Sequence, residues 1–249
     1  MNYIVGDIGN TCTKISVLDY KFNIKRSYII ETNKLFKKKN INKFFERFLF
    51  KDLNKKILFS SVVPKVYKMI KNCIKKKNFQ LIEIKDLKIK KILKVNIKNF
   101  NQLGSDRIAN TIGAYKDKNC LIIDFGTATT FDIIINGVYE GGVIAPGVNL
   151  SIVNLNKFTS LLPLFNLNTK QNNFGKNTKE ALNAGFLWGY EGLINNIINK
   201  ITNLSKKKYK IILTGGYAKL FKKFIKNKSI VDQNITIKGI AKIFKELLL

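Results

Sequence analysis

The spacing of hydrophobic residues predicts a mixed α/β fold, because short apolar runs typical of strands alternate with longer stretches of helical periodicity. In the first half, strands are predicted around residues 2–6, 14–18, 27–30, 56–60 and 79–84. Helices are predicted at 34–50 and around 66–74, the second directly after Pro64. This order indicates a mixed sheet flanked by helices.

The second half shows the same mixture. Asn136-Gly137 separates the apolar runs 131–135 and 138–139, which is a strong signal for a two-residue hairpin. Further elements are predicted as a long helix from Lys179 to about Ile201, a strand at 210–214, a helix from Ala218 and a helix at 239–249. Glycine weakens a helix interior, so Gly185, Gly189 and Gly192 indicate close packing of the long helix against a neighbouring element or subunit.

One short pattern occurs twice. An apolar run leads into Asp7-Ile8-Gly9 near the N-terminus and into Asp124-Phe125-Gly126 in the second half, and hydroxyl side chains follow each glycine. A strand that ends at a carboxylate and turns through glycine presents negative charge and backbone N–H groups, which suits phosphates and their cations. Asp-X-Gly also forms ordinary turns. The repetition favours two similar halves, each opening with a strand, a phosphate-facing turn and a second strand.

Gly104-Ser105-Asp106-Arg107 precedes a short amphipathic helix that is predicted to run to Tyr115. One interpretation is structural: Ser105 caps the helix and Asp106 offsets the positive end of its dipole. The other is functional: Asp106 takes a proton from a substrate hydroxyl while Arg107 holds an anionic substrate. Spacing alone favours the cap. Thr178 is likewise predicted to cap the long helix, and Gly147 and Gly215-Gly216 mark further places where backbone can approach a ligand closely.

The chain carries a large positive charge. Among its 249 residues, 45 Lys and Arg outnumber 16 Asp and Glu, leaving +29 with no histidine. Such a balance can indicate nucleic acid as a partner. The lysines are spread along the chain together with abundant Ile, Asn and Phe, however, which favours drift toward A/T-rich codons. Nucleic acid is therefore not expected as a partner, and the lysine triplets are interpreted as solvated helix ends or loops.

The residue types that are scarce or absent limit the reactions that this chain can catalyse. Without histidine, Ser-His-Asp hydrolysis and histidine zinc sites are excluded, so catalysis must use carboxylates, other side chains or bound cations. Three widely separated cysteines fit free thiols in a reducing compartment. No apolar run approaches a membrane span, and Asp7 interrupts the N-terminal apolar run, which argues against a signal peptide. A cytoplasmic location without membrane contact is expected.

Five segments in order resemble type III pantothenate kinase: residues 7–11, 104–107, 124–130, 142–147 and 175–178. The resemblance implies an actin-like ATPase fold of two RNase H-like domains with ATP in the cleft between them. It places the domains at 1–116 and 117–249, each a mixed sheet with flanking helices. It also implies a homodimer with substrate near the subunit interface, and ATP-dependent phosphorylation of pantothenate to 4'-phosphopantothenate, the first step of coenzyme A biosynthesis.

The resemblance assigns roles to particular residues. Asp106 is the implied general base, and Asp124 the implied ligand of a monovalent cation, K⁺ or NH₄⁺. Asp7 is implied to bind Mg²⁺. The residues implied to contact ATP are Asp7, Ile8, Gly9, Asn10, Thr11, Cys12, Thr13, Lys14 and Thr127. Those implied to contact pantothenate are Gly104, Ser105, Asp106, Arg107 and Thr178, the last from the partner subunit.

The chain departs from the family pattern ahead of Gly104. The family usually has Tyr and Pro where this sequence has Ile97 and Phe100, which puts one substrate contact in doubt. Two alternatives to pantothenate phosphorylation stay open. One is a nonenzymatic regulatory or nucleic-acid-binding protein on the same fold, and the other is a kinase of another small hydroxyl substrate.

Overall fold

The structure is a computed structural model that describes residues 1–48, 52–114, 119–170 and 173–249. The chain folds into two compact units: residues 1–115 together with 234–249 form unit 1, and residues 116–233 form unit 2. The final helix therefore belongs with the first unit, although the sequence division placed it in the second half. The predicted boundary after residue 116 and the predicted helical residue Tyr115 both lie outside the described residues.

The strands in chain order are β1 (Asn2–Ile8), β2 (Cys12–Leu18), β3 (Ile24–Glu31), β4 (Leu53–Ser61), β5 (Gln80–Glu83), β6 (Lys94–Val95), β7 (Cys120–Phe125), β8 (Ala128–Ile135), β9 (Val138–Pro146), β10 (Lys210–Gly215) and β11 (Ser229–Val231). The α-helices are α1 (Lys38–Glu46), α2 (Pro64–Lys75), α3 (Ser105–Gly113), α4 (Val148–Lys157), α5 (Thr178–Ser205), α6 (Ala218–Phe221) and α7 (Ile235–Leu248). In the part of the chain that the structure describes, no helix is both long and apolar enough to span a membrane.

Unit 1 is built on a mixed sheet with the order β3-β2-β1-β4-β5. β1 is antiparallel to β2 and parallel to β4, and β4 is parallel to β5. Alternate residues of these strands enter a core that includes Phe45 and Phe59, whose ring centroids lie 6.4 Å apart. Gly6 makes room for that core, since a Cβ there would lie 2.6 Å from the Phe59 ring. The carboxyl ends of β1, β4 and β5 consequently meet at one sheet edge.

Unit 2 repeats the opening of unit 1. Its strands follow the order β11-β10-β7-β8-β9, with β7 and β8 antiparallel and β7 parallel to β10. Leu121, Ile123 and Phe125 face the core beneath α5, so the intervening Asp124 lies on the opposite face of the sheet. The two strand-turn-strand segments predicted from the sequence are therefore confirmed as β1–β2 and β7–β8.

Several local predictions hold and others fail. Asn136 and Gly137 have φ of 51° and 77°, as a type I′ hairpin requires. Pro64 occupies the first turn of α2. The predicted helix at 34–50 is wrong in extent, because Thr32–Phe36 forms a 3₁₀ turn before α1 and residues 49–51 lie outside the described residues. The close packing predicted at three glycines of α5 is not made against a neighbouring element of the described residues, since a Cβ at Gly185, Gly189 or Gly192 would meet no atom within 4 Å. Packing of these glycines against another subunit stays a prediction.

Candidate functional site

The turn between β1 and β2 is fixed by its own backbone. Gly9 N donates to Cys12 O at 3.0 Å, which closes the turn. Thr32 Oγ1 donates to Gly9 O at 2.6 Å and lies 3.0 Å from Thr13 Oγ1. The Thr13 hydroxyl is thus engaged in holding the turn and is fully buried. Ile8 is also buried, so only their backbones are open to a ligand, whereas Asn10, Thr11 and Cys12 expose their side chains.

Asp7 and Lys14 form a cross-strand pair at the base of this turn. Directly opposed residues of an antiparallel pair have Cβ atoms about 5 Å apart and point to the same face. A carboxylate and an ammonium group are therefore placed side by side below three exposed turn residues. Such a combination can bind a phosphate through Lys14 and its metal counterion through Asp7.

The turn between β7 and β8 contains one glycine, and a second glycine packs against it. Gly126 N donates to Ala128 O at 3.1 Å, and Thr127 is exposed at the tip. Gly147, the N-cap of α4, packs so closely that a Cβ there would lie 1.9 Å from Thr127 O. No side chain caps α4, so no side-chain hydrogen bond satisfies its first N–H groups. This is a suitable arrangement for anionic oxygens.

Asp124 lies beside a second close glycine contact. Gly215 has φ of +85°, and a Cβ at that position would lie 2.6 Å from Asp124 Oδ1 and 2.6 Å from Phe125 O. Gly216 N donates to Phe125 O at 3.0 Å. The Asp124 carboxylate therefore lies against position 215, where only glycine leaves room for it.

The start of α3 is anchored to β4. Ser61 N donates to Ser105 Oγ at 3.0 Å, and Ser105 Oγ donates to Ser61 O at 2.8 Å. Ser61 is the register partner of Ile8 at the end of β1. Unit 1 thus brings residues 104–107 and the turn after β1 to the same edge of its sheet. The predicted cap at Ser105 is wrong, because Gly104 occupies the N-cap position and the buried Ser105 hydroxyl binds β4 instead.

Asp106 folds back over the helix terminus. Its Oδ1 accepts a hydrogen bond from Arg107 N at 2.8 Å, and a Cβ at Gly104 would lie 2.5 Å from that same oxygen. Burial raises the pKa of the Asp106 carboxyl, while the N–H group and charge of Arg107 and the charge of Lys85 oppose the rise. A carboxylate with a raised pKa is a better proton acceptor, as a general base requires.

Two charged residues near the start of α3 were missed by the sequence analysis: Lys85, which acts on Asp106, and Glu83, which lies near Ser105. Lys85 donates from its backbone N to the Glu83 carboxylate and from Nζ to Asn101 O at 2.8 Å, just ahead of Gly104. Burial raises the pKa of Glu83 as well. Residues 83–85 lie in a stretch without glycine or a recognisable motif, and only the parallel pairing of β4 and β5 brings them to this edge. No local signal could have identified them.

Thr178 is exposed and is the first residue of α5, so its predicted role as the cap is wrong. Asn177 caps the helix: its Oδ1 accepts from Glu180 N at 3.0 Å, and its Nδ2 donates to Glu180 Oε1 at 2.8 Å. This reciprocal capping leaves the Thr178 hydroxyl available at the surface of unit 2.

Metal binding by the protein alone is not indicated. Across the described ranges, no group of three or more His, Cys, Asp or Glu side chains could hold an ion. Mg²⁺ in phosphate-transfer sites commonly uses one or two carboxylates together with substrate phosphates. The single carboxylate of Asp7 beside a phosphate-facing turn fits that pattern.

Comparison with solved structures defines the class of fold. A Campylobacter jejuni protein described as a conserved Baf family transcriptional activator has a TM-score of 0.64 and 26% identity, with 98% of each chain covered. The inorganic polyphosphate/ATP-glucomannokinase of Arthrobacter sp. strain KM has a TM-score of 0.51 and 11% identity, covering 98% of this chain and 97% of the other. With two mixed sheets, flanking helices and repeated strand-turn-strand segments, the chain has the fold of actin-like ATPases and sugar kinases.

Comparison of sequences identifies the family. The type III pantothenate kinase family model matches residues 3–200. A type III pantothenate kinase of Pelagibacter ubique is 45% identical over 242 residues, covering 96% of this chain and 97% of that protein. The chain belongs to the type III pantothenate kinase family.

Proposed function

We propose that this chain transfers the γ-phosphoryl group of ATP to the primary hydroxyl of pantothenate, giving 4'-phosphopantothenate for coenzyme A synthesis. The observation that carries the proposal is Asp106, a partly buried carboxylate with a raised pKa at the N-terminus of α3. Asp106 accepts the hydroxyl proton as the pantothenate oxygen bonds to phosphorus. The bond from phosphorus to the bridging oxygen breaks, and ADP leaves with that electron pair.

The turn after β1 and the turn after β7 are each proposed to hold ATP phosphates. Asn10, Thr11 and Cys12 offer backbone N–H groups at the exposed tip of the first turn, and Lys14 supplies positive charge. Thr127 is proposed to contribute from the second turn. Asp7 would hold Mg²⁺, which neutralises phosphate charge when bound.

Substrate contacts are proposed for Arg107 and Thr178. Arg107 can pair with an anionic group, and its backbone also orients Asp106. The contribution of Ser105 is structural, since both hydrogen bonds of its hydroxyl go to Ser61. Gly104 contributes by leaving space for the Asp106 carboxylate.

The experiment that tests the choice of substrate is a panel of acceptors. Purified protein with ATP, Mg²⁺ and K⁺ is expected to form a phosphorylated product from pantothenate, detected by mass spectrometry, and none from sugars or glycerol at equal concentration. Preferential phosphorylation of another hydroxyl compound would support the alternative kinase. Steep salt-dependent DNA binding without any kinase activity would support a regulatory protein.

Asp124 is proposed to bind a monovalent cation, K⁺ or NH₄⁺, next to the β7–β8 turn. We expect Asp124→Asn to raise the K⁺ concentration for half-maximal activity about tenfold, because the variant loses the charge that attracts the ion. Gly215→Ala should act in the same direction without removing the charge, because a Cβ there would meet both Asp124 Oδ1 and the Phe125 backbone at 2.6 Å. Since Gly215 has φ of +85°, the unfolding temperature of this variant is measured alongside its activity. Activity is measured during K⁺ titration at constant ionic strength. An unchanged half-activation concentration in both variants would contradict the assignment.

A homodimer is proposed through the face of α4 and α5. Exposed apolar side chains cluster on these helices and the segment between them: Leu150, Val153, Phe158, Leu161, Leu164, Phe174 and Trp188. A cavity of about 550 Å³ lies on the same face and is lined by Gly185, Gly189 and Thr178. Several large apolar side chains exposed on one pair of helices are typical of an interaction surface, and the open glycines permit close approach of a second helix. Thr178 would then serve the partner subunit.

We expect the double variant Phe158→Asp/Leu161→Asp to be monomeric at micromolar concentration, because buried charges oppose association. Wild-type protein should sediment as a dimer. Leu204→Asp is the matched control, since Leu204 is 85% exposed near the other end of α5 and should keep the dimer. A monomeric wild type, or a dimeric double variant, would refute this interface.

A cytoplasmic location is proposed because ATP, Mg²⁺ and K⁺ are all abundant there. The positive charge of the chain is assigned no role in this reaction.

A further inference from the structure

Asn234 lies directly before α7 and contacts a residue far away in the sequence. Lys14 Nζ donates to Asn234 Oδ1 at 2.6 Å, and the pair is partly buried. Asn234 is the N-cap residue of α7, yet its side chain accepts no capping hydrogen bond from the helix. Asparagine is among the preferred N-cap residues because its side-chain oxygen usually accepts such a bond. Here that oxygen is directed to the Lys14 ammonium group instead.

The position of Asn234 is fixed by tight packing between α7 and α3. Thr236 Oγ1 donates to Asn110 Oδ1 at 2.7 Å. A Cβ at Gly113 would lie 2.3 Å from Ile235 O, and a Cβ at Gly239 would lie 1.8 Å from Ala109 O. Two glycines thus bring the helix backbones together, which leaves the first turn of α7 little freedom to move.

The chemical type of the partner matters for Lys14. An amide oxygen accepts an N–H bond without adding negative charge beside Lys14. A carboxylate at the same position would add a second negative charge to that of Asp7, the cross-strand partner of Lys14. Lys side chains are flexible, with about 2 kcal/mol of rotamer entropy, so a fixed neutral acceptor restricts the ammonium group without weakening its attraction for phosphate.

We infer that Asn234 is a positioning residue that holds the Lys14 ammonium group toward the phosphates of a bound nucleoside triphosphate. The inference rests on the proposed role of Lys14 in ATP binding. Asn234, which directly precedes α7, would thus fix the direction of a side chain that belongs to β2.

The test compares Asn234→Asp with Asn234→Ala by calorimetric titration of the full-length protein with Mg²⁺–ATP. The Asn234 side chain makes no capping hydrogen bond, so Asn234→Asp removes none and should unfold near the wild-type temperature. We expect its Kd for ATP to rise about tenfold or more, because the new carboxylate pairs with Lys14. Asn234→Ala should raise the Kd by a smaller factor, because it loses the orientation but keeps the charge.

Asn54→Asp is the control, since it makes the same charge change at the start of β4, where Asn54 Oδ1 accepts from Lys56 N at 2.9 Å. Its ATP affinity should match that of the wild type. A Kd within twofold of wild type for Asn234→Asp would overturn the inference, and so would a loss of affinity that only accompanies a lower unfolding temperature. Since ATP binding is measured without pantothenate, failure of the proposed substrate leaves this result interpretable.

Discussion

Asp106→Asn is expected to lower kcat for pantothenate phosphorylation by about 10²–10⁴-fold, the usual contribution of a general base. The amide cannot accept the hydroxyl proton, although its oxygen can still accept the hydrogen bond from Arg107 N. The KM for ATP should stay near its wild-type value, because Asp106 is assigned no contact with the nucleotide. Steady-state kinetics at saturating pantothenate measure the effect.

The stability of this variant provides the control. Burial raises the pKa of Asp106 above its ordinary value, so the folded state holds the proton more tightly than the unfolded state. Folding therefore becomes less favourable as pH rises through the raised pKa, and the charged carboxylate costs stability at neutral pH. Asp106→Asn should unfold at an equal or higher temperature. Full turnover in the variant would show that Asp106 is not the general base. If the variant does not fold, the pH profile of the wild type tests the role of Asp106 instead.

The pH profile follows from the same shift. Only the deprotonated carboxylate can accept a proton, so wild-type kcat/KM should fall on the acid side with a midpoint above the ordinary value for aspartate. The charged groups that act on Asp106 are Arg107 and Lys85, and both oppose the shift. An acid limb at or below the ordinary aspartate value would contradict the assignment of Asp106.

Gly104→Ala is expected to lower kcat by about 10²-fold, comparable to the effect of a 1 Å misplacement of a reacting group. The new methyl group would lie 2.5 Å from Asp106 Oδ1, so the carboxylate has to move. The backbone itself tolerates alanine, since Gly104 has φ of −59°. The fold should therefore persist, as measured by thermal unfolding. Wild-type kcat in this variant would show that the observed Asp106 conformation is not the reactive one.

Both strand-turn-strand segments could be predicted from the sequence because their signals are local. Asp7 and Gly9, and likewise Asp124 and Gly126, directly follow an apolar run, so a few adjacent positions indicate both the strand and the turn after it. The hairpin at Asn136-Gly137 is similar, because positive φ at both positions favours those residues.

The caps show where local signals fail. Ser105 has the sequence of an N-cap, yet its hydroxyl binds the backbone of Ser61, 44 residues earlier in the chain. A serine hydroxyl accepts either partner with similar energy, and tertiary packing decides between them. At α5, Asn177 and Thr178 are adjacent candidates for the N-cap. Asn177 is the cap, and two hydrogen bonds join it to Glu180.

Other parts of the site depend wholly on distant pairing. Lys85 reaches Asn101, and Asn234 reaches Lys14 across 220 positions. Neither residue stands in a motif, and one lysine among many carries no signal of its own. The roles of Asp7, Thr127, Asp124 and Thr178 stay predictions, and the variants above test that of Asp124.

The most direct test of the central claim is ADP release by wild-type protein with ATP and Mg²⁺, measured with and without pantothenate and with and without K⁺. The proposed function predicts rapid ADP release only when pantothenate and K⁺ are both present, with one 4'-phosphopantothenate formed for each ADP. ADP release at the same rate without pantothenate, or no release with every component present, would contradict it.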